Sequence, residues 1–134
     1  MKRLAFGLTA LLPIAGIFCL SGCGKQPQLT LEQKVESKIG SYTQPAIEKL
    51  YGKVLTQEEL ESLNTCVAKT FTSKLTQEER LFLGGSAVQQ AQYAKTASSS
   101  ITEKAKPTSP EMKEVIIRCN AELGIKKAAS KLSK

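Results

Sequence analysis

Twelve glutamates and four cysteines, with no histidine, aspartate or tryptophan beside them, are the residues from which chemistry in this chain would have to be built. Two adjacent acid pairs stand out, Glu58-Glu59 and Glu78-Glu79, and two carboxylates across a cleft are all that a two-acid hydrolase needs. Each pair sits in the same string, Leu-Thr-Gln-Glu-Glu, at 55–59 and again at 75–79. Thr56 with Glu59 and Thr76 with Glu79 therefore read as capping boxes, the device that satisfies two free N–H groups at a helix start. Acids in a first turn also favour the helix dipole, so these residues are assigned to helix capping and none to catalysis. A serine–histidine–acid triad is impossible without histidine. Zinc would find only thiols and scattered glutamates, and neither a Gly-x-x-x-x-Gly-Lys phosphate loop nor a Cys-x-x-Cys pair occurs. The expectation is a protein that is not an enzyme, with no metal and no cofactor.

The amino-terminal stretch carries a different chemistry. Lys2 and Arg3 precede 17 mostly apolar residues, Leu4 to Leu20, interrupted by Pro13 and Gly16, the layout of an export signal. That run is shorter than the roughly 20 residues of a spanning helix. It ends in Leu20-Ser21-Gly22-Cys23, which resembles the lipobox of bacterial lipoprotein precursors. The resemblance covers about the first sixth of the chain. It implies lipidation of the Cys23 thiol, palmitate among the acyl groups, cleavage before Cys23 and acylation of the new amino terminus. Two or more acyl chains hold a protein stably on a bilayer where one does not. Gly24 stands where an aspartate would signal retention in an inner membrane, so the resemblance implies the periplasmic face of the outer membrane in a host that has one.

On that reading Cys19 leaves with the signal and Cys23 carries lipid, so Cys66 and Cys119 remain in an oxidising compartment and are expected to form a disulfide. The mature 112 residues make one domain, with 17 cations against 12 glutamates. The excess reads as a solubilising surface. Tyr42, Tyr51, Phe71, Phe82 and Tyr93 do not alternate with the lysines, which argues against a stacking platform for nucleic acid.

The elements that hold these residues read as helices throughout. Residues 23–29, with Pro27, form a tether. Thr30 and Gln33 make a further capping box, and Leu31, Val35 and Ile39 give a helix expected to end at Gly40. A second, short helix is expected from Pro45 to Tyr51, stopping at Gly52. After Thr56, the stripe Leu60, Leu63, Val67 and Phe71 has Cys66 at its edge. After Thr76, Leu81, Phe82 and Leu83 lead to Gly84-Gly85, which either ends the helix or allows close packing. Ala87, Ala91 and Ala94 continue a thin apolar face, and residues 96–110, rich in Ser, Thr, Lys and Pro, read as a mobile connector. Ser109 caps a last helix with Pro110 at its first position; Met112, Val115, Ile116, Cys119 and Leu123 form its buried stripe, and Gly124 is expected to close it. Residues 125–134 read as a basic tail.

The expected fold is an all-α, disulfide-stapled bundle of four or five short helices on a lipid tether: signal peptide 1–22, tether 23–29, domain 30–124, tail 125–134. The expected function is a membrane-anchored module that binds another envelope protein in assembly or exclusion and does not bind nucleic acid. Two alternatives are an envelope stress chaperone holding unfolding clients, and a binder of anionic lipid or envelope polymer through the lysine-rich surface.

Overall fold

A computed structural model describes residues 27 to 132, except the side chains of 125 and 128 to 132. The signal peptide, the lipobox with Cys23 and most of the tether lie outside the described residues. Among the described residues five helices follow one another, with no strand: α1 (Leu31–Tyr51), α2 (Gln57–Ser73), α3 (Gln77–Gly84), α4 (Ala87–Lys104) and α5 (Pro110–Leu132).

Local chemistry starts each helix. Four capping boxes are formed, at Thr30/Gln33, Thr56/Glu59, Thr76/Glu79 and Ser86/Gln89. At Thr56 the backbone N–H donates to Glu59 at 2.8 Å while Glu59 N donates to the threonine hydroxyl at 3.3 Å. Ser109 starts α5, its hydroxyl accepting from Met112 N at 3.0 Å. The Ser86 box was legible in the same signature, and it separates α3 from α4 where the alanine spacing alone reads as continuation.

Helix α2 is the centre of the fold. Helices α1 and α5 pack along it, while α3 and α4 form a hairpin whose α3 arm lies on α1. Leu60, Leu63, Cys66, Val67, Ala68 and Phe71 of α2 are buried against Val35, Ile39 and Ile47 of α1 and Val115 and Cys119 of α5. Gly84 allows a close approach of α3 to α1, since a Cβ there would stand 3.0 Å from Val35 Cγ2 and 3.2 Å from the Leu31 carbonyl.

Three expected boundaries are corrected. Helix α1 runs through Gly40 and Pro45 to Tyr51 as one element. Proline removes one donor, but the carbonyl it would have served belongs to Ser41, an exposed residue. Thr43 donates to Asn64 Oδ1 of α2 at 2.6 Å, and Asn64 Nδ2 donates to Gly40 O at 3.1 Å. Packing on α2 thus supplies what local propensity lacks. The stretch 96–110 is not a connector: α4 continues to Lys104, with Ala97 buried and Ile101 against the core. Its hydroxyls bond back along the helix, Thr102 to Ser98 O at 2.8 Å for example. Nor does Gly124 end α5, which continues to Leu132; Lys127 reaches Glu59 across the interface at 3.2 Å and Lys126 pairs with Glu122 at 3.5 Å.

Candidate functional site

Cys66 and Cys119 are bonded, with their Cα atoms 5.7 Å apart. The bond joins the middle of α2 to the middle of α5, and ion pairs flank it at either end, Lys74 to Glu114 at 2.6 Å and Lys127 to Glu59 at 3.2 Å. Beside it runs an open cavity of about 550 Å³ whose walls include Glu58, Glu61, Lys69, Arg118, Glu122 and Lys126. Glu122 Oε2 lies 3.3 Å from Cys66 Sγ; a disulfide sulfur has no proton to donate, so this is a contact and not a hydrogen bond. Acids and bases are interspersed along this cavity, and no group of three metal-ligating side chains gathers among the described residues.

The paired glutamates divide sharply. Glu59 caps α2 at the surface, and the hydrogen bond from the Thr56 N–H, joined by Lys127, holds its carboxyl below the ordinary glutamate range against a smaller desolvation effect. Glu79 caps α3 and is also buried, at 2% exposure. Its carboxylate accepts from Thr76 N (2.7 Å), Ser100 Oγ (2.5 Å) and Lys104 Nζ (2.7 Å). Burial pushes its pKa up, but the hydrogen bonds from Lys104, Ser100 and Thr76 N and the lysine's charge outweigh it and leave the group below its usual value. Buried and held by three donors, Glu79 joins helices and has no room for a substrate. Its partner Lys104 lies 25 residues on, in a stretch whose composition reads as loop, so the pair had no sequence signal.

An apolar groove is the remaining feature. Thr43, Ala46, Ile47, Leu50 and Tyr51, spaced i, i+3, i+4, i+7 and i+8, form its α1 wall; Leu63 and Val67 of α2 form the floor; Met112, Ile116 and Asn120, one turn apart, form the α5 wall. Ala105 and Pro107 of the α4–α5 connection complete the lining. The cavity measures about 250 Å³ and no charged side chain lines it. Helices α1 and α5 each pack on α2 and scarcely touch each other, which leaves a trough between them above the buried Leu63 and Val67. Ile116, expected in the buried stripe, is instead 38% exposed in the α5 wall, and Leu50 and Ile117 are 73% and 71% exposed. The sequence held a trace of this: Val115, Ile116 and Ile117 are consecutive on a helix, where neighbours are about 100° apart and cannot all face one core.

The chain is thus a small all-α, disulfide-stapled protein with an open apolar groove, and no helix among the described residues is long and apolar enough to cross a membrane. Comparison with protein-family models, with curated proteins and with solved structures found no match.

Proposed function

We propose that the mature protein is a lipid-anchored envelope module that binds another envelope protein and catalyses nothing. The observation that carries this reading is the groove, since large apolar side chains left together at a surface mark an interaction site. The disulfide, the capping boxes and the Glu79 network supply rigidity, which lowers the cost of ordering an interface. The lipobox-like Leu20-Ser21-Gly22-Cys23 supports attachment of the module to the membrane at Cys23, on the periplasmic face and at the outer membrane of a host that has one.

Affinity recovery of the full chain from chemically crosslinked envelopes tests it. One reproducible protein partner is expected; none in repeated recoveries overturns the reading. Separately, Cys23→Ser should abolish both membrane retention and incorporation of a fatty-acid label, and undiminished label would remove the anchor.

A second reading, an acid-activated chaperone, draws on one observation, the dependence of the α3–α4 hairpin on the Glu79 carboxylate. Suppression of client aggregation at acid pH, measured by light scattering, distinguishes it from the binding module.

A further inference from the structure

We infer that the groove between α1 and α5 receives an amphipathic helix of the partner, with acidic residues flanking its apolar face. This rests on the binding-module reading and specifies its occupant.

The shape is the first argument. The groove is bounded by two helices that lie on a third, so it is an open trough between them, rimmed by exposed Leu50 and half-exposed Ile116, above a floor, Leu63 and Val67, that is itself buried. A fourth helix laid there would rest on the walls from α1 and α5, over α2, and complete a four-helix arrangement, burying Leu50 and Ile116. At about 250 Å³ the cavity falls below the roughly 300–1,000 Å³ of sites that enclose a whole small ligand. It has room for a few side chains presented from a backbone outside, the mode in which an amphipathic helix docks by anchors at i, i+3, i+4 and i+7.

Charge fixes the flanks. By helical spacing, Lys49 follows Ala46 by one turn on the outer edge of the α1 wall, with Lys53 just beyond the helix end, and Lys113 lies on the outer edge of the α5 wall, one turn before Ile117. All three are exposed, and none forms an ion pair among the described residues. The acids of these helices are elsewhere: Glu48 accepts from Gln44 at 2.9 Å on the side of α1 that meets the start of α2, Glu114 pairs with Lys74, and Glu111 and Glu122 fall by spacing on the far side of α5. The groove is therefore neutral inside and basic on both lips. A helix with acids on both sides of its apolar stripe matches that pattern, and one with basic flanks is repelled.

A photoreactive amino acid placed at Leu50 or at Ile117 of the full chain, in living cells, tests the inference, with Lys34 and Gln92 as control positions on other exposed surfaces. The expected result is one protein adduct shared by Leu50 and Ile117, attached within a segment that has apolar residues at helical spacing and Asp or Glu beside them. The triple change Lys49→Glu, Lys53→Glu, Lys113→Glu should lower that yield about tenfold, while the same three changed to Arg should leave it intact. Adducts at Leu50 and Ile117, in the groove wall and on its outer edge, to lipid alone or to a second copy of this chain overturn the inference, as does a protein adduct indifferent to charge reversal. A protein captured only from Lys34 or Gln92 overturns the groove as the site while the binding module stands. No protein adduct from any of the four positions overturns both.

Discussion

Lys104 Nζ lies 2.7 Å from Glu79 Oε2 and 3.1 Å from the carbonyl of Lys74, so one ammonium group ties the end of α4 to the start of α3 and to the residue that closes α2. Ser109 donates to the carbonyl of Lys104 at 2.5 Å, which extends the same network to the first residue before α5. The α2–α3 and α4–α5 junctions thus meet around a single buried carboxylate.

Glu79 and Glu59 occupy the same capping position in the same local sequence, yet their replacement should differ. Glutamine serves at N3 in the other two boxes, at Gln33 and Gln89, so Glu59→Gln retains its cap and should change thermal stability little. Glu79→Gln keeps the cap but leaves Lys104, whose side chain is 18% exposed, without its counter-charge, a loss of about 3 kcal/mol. Chemical denaturation of both variants checks this; equal losses would show that Glu79 acts only as a cap.

Removing the disulfide should lower the melting temperature by well over ten degrees. The bridge spans 53 residues, for which loop-closure entropy gives about 4 kcal/mol, and 1 kcal/mol shifts a domain of this size by about 4–8 °C. Because α5 reaches the rest of the bundle chiefly through α2, amide exchange in a Cys66→Ala/Cys119→Ala variant should rise in α5 before α1. Uniform loss of protection would contradict that order.

The capping boxes and the α2 stripe were legible in the sequence because both are local: a Thr and a Glu three apart, or apolar residues at helical spacing, need no knowledge of what packs on them. Gly40, Pro45 and Gly124 were misleading for the converse reason. Their intrinsic preference to end a helix was real, and contacts with Asn64 on one helix and ion pairs from Lys126 and Lys127 on another carried the backbone through. The groove was the least legible feature. It exists because α1 and α5 share a neighbour without meeting, a property of three helices that no single helix pattern contains.

The two glycines against neighbouring helices should respond with opposite signs. At Gly84 a side chain would meet Val35 and the Leu31 backbone at 3.0–3.2 Å, so Gly84→Val should push α3 from α1 and cost about 1–3 kcal/mol. A Cβ at Gly40 would stand 3.5 Å from Asn64 Nδ2 and 3.8 Å from Ala68 Cβ, ordinary contacts, so Gly40→Ala should stabilise by about 0.5–1 kcal/mol through helix propensity. A Gly84→Val melting temperature no lower than the parent's would refute the packing argument for Gly84, and a lowered one for Gly40→Ala would refute that for Gly40.

Acid should loosen the domain from the α3–α4 end. Glu59 and Glu79 are both held below the ordinary glutamate pKa. Their stabilisation is therefore complete above the unfolded value of about 4.3 and disappears as pH falls through the lower folded values. Protonating Glu79 removes the acceptor of Lys104 and weakens that of Ser100, both on α4, whereas α2 and α5 stay joined by the disulfide. Near-ultraviolet circular dichroism and binding of an apolar dye should accordingly show loss of tertiary packing below about pH 4 with helical signal retained. Glu79→Gln, which has no charge to lose, should flatten that transition. A tertiary signal unchanged down to pH 2 would remove the physical basis of the chaperone reading and leave the binding module as the sole account of the fold.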